Sequence, residues 1–548
     1  MSHSTYALAA AFTIAALCPV PASAQGSPAL AQRLDSIAGA EVRANRSVGI
    51  TAAAFKGKDK LLLQAYGKAD VEANAPMTVA TMIPIGSTAK QFTAVAILQL
   101  RDQGKLSLDD EVTKWLPELN TGGNTITLRH LLAHTGGIAE LSVMPELRAA
   151  QMFRNPTLTR DSVYKVIGRY PPVFPAGTMQ MYSNTGYWLL GRIVEKASGV
   201  AYEEYLEKRI FAPLGMSRSM YCNNAKPVPN RATAYTFRNG APTREPDMVY
   251  TALYAAGGGC STAGDMITWL QALHGGKVLS QKSYADLIAP AKLNDGTVLR
   301  YGMGTVIAED SHGLRYIGHN GGGGGFSSEA RWYPDAQLAV VILTNSEPDA
   351  ITVATEAIAA AVLPPPRRVL GEFTGDPSPL VGKYKAPAQG GDIVVVVTRA
   401  PQGIAFSING QPAEKLPMVE HLTFEHRDVL LSFRGPNELR FDTGGDHLIL
   451  KRVSETASTL AAPLAAFEGT YEGPQPGTTV TIAVQNDTLR LMPSGGGSIN
   501  LIPESGTTFY NGREGAPRKI TFNLGADAKA VSLTLKAPGS ERTLKKLR

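Results

Sequence analysis

Across 548 residues the sequence holds three cysteines, four tryptophans and only 18% charged side chains. Several absences narrow what it can be. The net charge of +6 is small for this length and no dense run of lysine and arginine occurs, which excludes nucleic acid as a partner. The only sustained apolar stretch of the targeting kind is Ala7 to Leu17, too short to span a bilayer. Pro19, Pro21 and the small-residue run Ala22-Ser23-Ala24 follow it, which predicts cleavage after Ala24 and a secreted or periplasmic chain with no membrane anchor afterwards. That cleavage removes Cys18 and leaves Cys222 and Cys260, which an oxidising compartment would pair. A Gly-x-Ser-x-Gly elbow is lacking, which argues against the α/β-hydrolase route to serine chemistry. The run Gly321 to Gly325 fails as a dinucleotide loop at Phe326, and predicts instead a loose rim along which a substrate backbone can approach. No cofactor or metal is called for. His130 and His134 are spaced as zinc ligands on a helix can be, but no Glu follows His130 and no third ligand is apparent. Nothing in the sequence indicates an oligomeric state.

What is present begins with Pro84-Ile85-Gly86-Ser87-Thr88-Ala89-Lys90. Gln91 to Leu100 follows with Phe92, Val95 and Ala96 at i, i+3 and i+4, a pattern that predicts a buried helix. One helical turn then sets the Ser87 hydroxyl beside the Lys90 amine. A serine hydroxyl needs a base to attack, and a lysine serves as one only when burial or neighbouring charge lowers its pKa. Ser162 and Lys165 repeat the spacing, so the motif alone does not choose between them.

Ala29–Ala44 reads as a helix, Val48–Phe55 and Leu61–Ala65 as strands joined by a hairpin turn, and Tyr187–Lys196 as a helix after a loop. Residues 222–249 read as a long loop; Ser327–Tyr333 and Leu338–Thr344 as strands; Ile351–Leu363 as a helix. Pro364-Pro365-Pro366-Arg367-Arg368 is a stiff linker. Beyond it helical periodicity nearly disappears, and Leu380-Val381-Gly382-Lys383-Tyr384 is repeated as Phe467-Glu468-Gly469-Thr470-Tyr471. The expected organisation is a signal peptide over 1–24, a catalytic domain over 25–365, and two small antiparallel β-barrel-like domains over 370–455 and 464–548.

A working serine–lysine site needs a proton relay, an oxyanion hole and a group to orient the substrate. Tyr182-Ser183-Asn184 supplies a phenol and an amide, and His319-Asn320-Gly321 an imidazole beside an open strand edge. With Ser87–Lys90, Gly104–Asp110, Ile126–Gly137, Pro175–Gly186, Pro213–Met216 and Ala256–Asp265, these stretches resemble, in order, the serine β-lactamases, penicillin-binding proteins and related esterases and peptidases, on the class C side. The resemblance implies an α+β fold: an antiparallel sheet flanked by helices, an all-helical half, and a cleft between them. It implies Ser87 as the acylated nucleophile, Lys90 and Tyr182 sharing the proton work, and Asn184 orienting Lys90 and the substrate amide. The N–H groups of Ser87 and Gly322 would form the oxyanion hole, with Gly321 at the substrate-binding edge. Which of Lys90 and Tyr182 is the base stays open, although an ammonium beside a phenol should ease loss of its proton. The β-lactam-destroying members usually carry lysine where this chain has His319, which D-peptidases and some esterases share. An imidazole there could contact a substrate carboxylate or simply hydrogen-bond. The resemblance therefore implies a peptidase on D-residue or unusual microbial peptides, ahead of a carboxylesterase, a β-lactamase or a non-catalytic penicillin-binding scaffold. It further implies that a loop of the last β-domain reaches the cleft, with Pro493–Ser498 the candidate.

Overall fold

The computed structural model describes residues 28–547 apart from 223–227, 239, 347–349, 365–369, 389–391, 402, 427–428, 454–460, 474–476, 486–487, 495–497, 512–518 and 538–539. The expected signal segment, most of the proline linker and the centre of Pro493–Ser498 lie outside the described residues.

Helix α1 (Pro28–Arg43) precedes strands β1 (Gly49–Lys56) and β2 (Asp59–Asp70), and helix α2 (Lys90–Asp102) starts the catalytic segment. Helix α3 (Asn184–Ser198), helix α4 (Ala263–His274), strands β3 (Val306–Glu309), β4 (Arg315–Gly323), β5 (Phe326–Tyr333) and β6 (Leu338–Thr344), and helix α5 (Ala350–Val362) follow, with shorter helices and strands between them. The sheet runs Ala75–Pro76, β2, β1, β6, β5, β4, β3, with every neighbouring pair antiparallel.

All seven residues of β6 are buried, which explains its unbroken apolar run. Ala339, Val341 and Leu343 face one core with Met266 and Leu270 of α4. Leu338, Val340 and Ile342 face a second with Leu34 of α1 and Ile358 of α5. A strand covered on both faces has no polar side to alternate with. Helix α2 is buried from Lys90 through Leu98. Its Phe92 meets Phe211 at 5.1 Å and Trp269 at 4.6 Å, both edge-on, a fully buried ring of the kind that contributes about 2–3 kcal/mol. This packing fixes the axis of α2, and with it Ser87 and Lys90 at its start. Cys222 and Cys260 form a disulfide with Cα atoms 5.3 Å apart.

Two stretches depart from expectation. The segment at 222–249 carries a hairpin, Tyr235–Arg238 against Ala241–Arg244. The glycine run is no loose rim: β4 continues through it, with Gly321, Gly322 and Gly323 opposite Ser328, Ser327 and Phe326. Only its turn, Gly323 to Gly325, takes positive φ of 130°, 64° and 83°, where glycine is favoured.

Past the linker, two eight-stranded antiparallel sheets follow, from Gly382–Ala386 to His447–Val453 and from Gly469–Glu472 to Ser540–Lys545. Bridges Phe406–Glu414 and Tyr471–Lys546 curl each sheet back on itself. The repeated five-residue motif plays one part in both. Tyr384 is buried and donates to the Leu380 carbonyl at 2.9 Å; Tyr471 is buried and donates to Phe467 at 2.8 Å.

Candidate functional site

The Ser87 turn is a short 3-10 segment, Gly86–Ala89, leading into α2. Gly86 has φ +51°, and a Cβ there would stand 2.9 Å from the Gly322 nitrogen. A Cβ on Gly321 would stand 2.2 Å from the Ile85 carbonyl and 2.7 Å from the Ser87 nitrogen. These two glycines let the β4 edge lie against the Ser87 turn, so the Ser87 and Gly322 amides come to the same end of the cleft. Ser328 pins the contact by donating to the Ile85 carbonyl at 2.7 Å and pairing with Thr88 at 2.8 Å.

Lys90 is wholly buried. Its Nζ lies 3.0 Å from Ser87 Oγ, 2.8 Å from Asn184 Oδ1 and 2.7 Å from the Ala256 carbonyl. Burial pushes it down to about 7, against the opposing charge of Glu140. A neutral amine has two N–H groups and one lone pair. Ala256 O and the Asn184 carbonyl can only accept, so they take both N–H groups and leave the lone pair facing Ser87, the one partner able to donate.

Glu140 fixes that arrangement and is the main residue missed by the sequence reading. Its carboxylate is buried and accepts from Asn184 N at 2.8 Å, Asn184 Nδ2 at 3.1 Å and Thr185 N at 3.3 Å. The bond to Nδ2 orients the Asn184 amide with its oxygen toward Lys90. Burial raises the Glu140 pKa while these bonds and Lys90 pull it down. Glu140 stands alone in a loop three residues past Gly137, with no spacing signal to mark it.

The Tyr182 hydroxyl faces Ser87, which lowers the phenol pKa by hydrogen bonding, but burial dominates and holds it above its ordinary value. Lys90 Nζ sits over the ring face, 4.7 Å from its centre. The net shift of the phenol is upward, opposite to the easing expected from the lysine, and of the two candidate bases Lys90 is the one whose pKa is brought to neutrality.

His319 is 3% exposed. Its Nε2 pairs with the Tyr301 hydroxyl at 2.9 Å and its Nδ1 with the Asn320 carbonyl at 2.5 Å. Burial, followed by the charge of Lys90, pushes it down to about 3. The imidazole is neutral and points inward to a hydrogen bond, the second of the two roles expected of it, rather than to a substrate carboxylate; Asn320, Gly322 and Gly323 are the exposed positions at that end of β4. His134 lies 4.2 Å from the Tyr182 ring, centre to centre. His130 caps its own helix, its Nδ1 accepting from Thr127 N at 3.2 Å. The rival pair Ser162 and Lys165 is accounted for similarly: Ser162 is half-buried and completes a capping box with Thr159.

A loop of the first β-domain reaches the site, while the one expected from the last β-domain, Pro493–Ser498, has its centre outside the described residues. The turn between strands Glu438–Asp442 and His447–Val453 packs on Tyr182: Asp446 Oδ1 accepts from Tyr182 N at 2.8 Å, and a Cβ on Gly445 would stand 2.9 Å from the Tyr182 ring. Gln180 and His447 form a bridge beside it. A sequence of Asp, Thr, Gly, Gly, Asp reads only as a turn, so nothing in it marked this contact.

The Beta-lactamase family profile matches residues 34–363, and a domain of unknown function, DUF3471, matches 454–547. Penicillin-binding protein 4* of Bacillus subtilis (strain 168) is 30% identical over 312 residues, 55% of this chain and 68% of that protein. A D-aminopeptidase of Cereibacter sphaeroides is 28% identical over 322 residues, 58% of this chain and 60% of that protein. Among solved structures, a D-stereospecific amidohydrolase from Streptomyces sp. is similar at 28% identity and a TM-score of 0.51, over 59% of this chain and 96% of that one.

Proposed function

This chain belongs to the beta-lactamase family and is a serine hydrolase, and from that premise we propose that it is a secreted peptidase or amidase that forms an acyl-enzyme on Ser87, with D-amino-acid amides and short D-residue peptides as substrates. The observation that carries the chemistry is the Lys90 triangle, two obligate acceptors and Ser87, which aims the lone pair of a neutral lysine at the serine hydroxyl. With its pKa near 7, about half of the enzyme holds Lys90 ready at neutral pH. Lys90 takes the Ser87 proton as Oγ attacks the carbonyl carbon. The charge that develops on the carbonyl oxygen is met by the Ser87 and Gly322 N–H groups, worth about 3 kcal/mol for each such donor. The proton passes to the leaving nitrogen through Lys90 and the Tyr182 hydroxyl, the amine departs, and water releases the acyl group by the reverse path.

The substrate class rests on His319. Its neutral, inward ring leaves the β4 edge without the cation that the β-lactam-destroying members carry at this place. The similarity to a D-aminopeptidase and a D-stereospecific amidohydrolase points the same way. Secretion is supported by the Cys222–Cys260 disulfide, a bond that persists in oxidising compartments. No described helix is long and apolar enough to cross a membrane.

The test is turnover by the wild type and Ser87→Ala of D- and L-phenylalanine p-nitroanilide, p-nitrophenyl acetate and a chromogenic cephalosporin. The proposal expects Ser87-dependent release from the D-anilide above the L-form and the cephalosporin. Turnover of the ester alone would replace the amidase reading with an esterase one, and equal turnover by Ser87→Ala would remove the nucleophile.

A further inference from the structure

Behind the reacting groups lies a buried chain of polar side chains that the proton steps above do not use. Ser183 N donates to His134 Nδ1 at 3.1 Å, His134 Nε2 meets the Tyr301 hydroxyl at 3.2 Å, and that hydroxyl meets His319 Nε2 at 2.9 Å. His319 Nδ1 meets the Asn320 carbonyl at 2.5 Å. His134, Tyr301 and His319 are all buried, with Tyr301 fully so.

Donors and acceptors at the two ends leave one assignment. A backbone N–H can only donate, so His134 Nδ1 is bare and its ring, when neutral, carries hydrogen on Nε2. A backbone carbonyl can only accept, so His319 carries hydrogen on Nδ1 and leaves Nε2 bare. Tyr301 between them accepts from His134 and donates to His319. The two imidazoles are therefore held in opposite tautomers, and every bond runs in one direction from Ser183 to Asn320.

The ends of this chain are the two walls of the cleft. Ser183 sits between Tyr182 and Asn184, and Asn320 lies two residues before Gly322 on the β4 edge. His134 also packs its ring at a tilt against Tyr182 and adopts φ +61°, a left-handed conformation that a non-glycine residue holds only under constraint. Its backbone carbonyl accepts from Met181 N at 3.0 Å, adding a second tie to the same loop.

We infer that Tyr301 is a positioning residue: by bridging His134 and His319 in fixed, opposed tautomers, it sets the distance between the Tyr182–Asn184 loop and the oxyanion edge of β4. The reading rests on the proposed site at Ser87, but the bridge itself is a property of the folded chain. One added proton breaks the one-way run of bonds. With hydrogen on both nitrogens, His319 would present a donor to Tyr301, whose own hydrogen would have to leave it for Tyr187, the other side chain that pairs with this hydroxyl. The groups facing the bridge are Lys90 from α2, Tyr182 and Tyr187 on the helical side, and Arg300, Glu329 and Arg331 around a small cavity of about 30 Å³ behind His319. Lys90, by its charge, opposes protonation of both rings.

The experiment uses the full chain labelled with 15N-histidine, read by long-range proton–nitrogen NMR from pH 8 to pH 5, with signals assigned by their loss in His134→Gln and His319→Gln. The expected result is His134 protonated on Nε2 and His319 on Nδ1, both unchanged over that range. Tyr301→Phe, confirmed folded by circular dichroism, is expected to keep both tautomers, which Ser183 N–H and the Asn320 carbonyl set, while the Nε2 signals of both rings shift with the loss of their hydroxyl partner. It should also lower kcat for p-nitrophenyl acetate about tenfold, the cost of one buried hydrogen bond, with KM moved less than about twofold. The same tautomer at both histidines of the wild type would overturn the bridge, and this holds even if Tyr301→Phe does not fold. Opposed tautomers with an unchanged kcat in Tyr301→Phe would overturn its positioning role. Absence of ester turnover by the wild type would count against the reading of Ser87, with the NMR result still deciding the bridge.

Discussion

Replacing Glu140 with glutamine changes one atom and should disturb the site in two separable ways. The first is orientation. The carboxylate accepts three N–H groups, two of them from Asn184. A glutamine amide offers one oxygen and one NH₂ in the same space. If its oxygen keeps the backbone donors, its NH₂ meets the Asn184 NH₂, and Asn184 relieves the clash by turning over. Its NH₂ then faces Lys90, and the 2.8 Å bond to Asn184 Oδ1 is lost. Loss of a charge-assisted bond of this kind costs about 1.5–3 kcal/mol, a fall of roughly ten- to a hundredfold in rate if it is felt in the transition state. The second is charge. Glu140 is the group that opposes the fall in the Lys90 pKa. Its removal leaves burial unopposed, so the Lys90 pKa falls further below about 7 and the neutral, basic form survives to lower pH. The assay is the pH profile of kcat/KM, which reports the free enzyme. The plateau should drop and the acid limb should move to lower pH. An acid limb that stays in place or rises, on an unchanged plateau, would refute both the amide-orienting role and the identity of Lys90 as the titrating base.

Asp446→Ala removes the acceptor of Tyr182 N and should lower kcat while thermal unfolding of the first β-domain core is little changed; equal kcat would detach that loop from catalysis. Gly321→Ala forces a Cβ against the Ile85 carbonyl and the Ser87 nitrogen, so the oxyanion edge must move away, and kcat should fall more than KM rises. Protein stability should decline on acidification below about pH 6.5. His319 binds no proton in the folded chain until about pH 3, while an unfolded histidine does so at about 6.5, so the unfolded chain takes up protons first. That single group accounts for about 2 kcal/mol lost by pH 5, read as a lower urea midpoint, and a His319→Gln variant should show a shallower decline. Cys222 and Cys260 are 38 residues apart, so the double serine variant should be destabilised by up to about 4 kcal/mol on loop-closure entropy, seen as a lower Tm; an unchanged Tm would show that local packing alone holds the loop.

Elements with strong periodicity were legible. Expected helices at Ala29–Ala44 and Ile351–Leu363 are found at Pro28–Arg43 and Ala350–Val362, and the expected strand Leu338–Thr344 is found with those limits. The cysteine pair was foreseen from compartment and count. The pair of β-domains was foreseen from an internal repeat whose tyrosines prove to make the same bond in both copies. The geometry around Ser87 was legible only in part, because motif order names residues but not the direction a side chain takes. His319 was expected either to contact substrate or to hydrogen-bond, and it hydrogen-bonds Tyr301, a choice that a strand position alone does not reveal. The glycine run was expected to be loose, yet antiparallel pairing with Phe326–Ser328 outweighs the low strand preference of glycine. Glu140, Tyr301 and Asp446 act through contacts between residues 44, 18 and 264 positions apart, a range at which no local pattern operates.

Acylation of Ser87 under the control of Lys90 is most directly tested by trapping. The enzyme is mixed with p-nitrophenyl acetate, quenched in acid within the burst and digested for mass spectrometry, in parallel with Lys90→Met and Ser87→Ala. One acetyl group on the peptide that carries Ser87, sharply reduced in Lys90→Met and absent in Ser87→Ala, is the predicted result. Equal labelling of that peptide in Lys90→Met, or an acyl group on a different residue of the wild type, would contradict it.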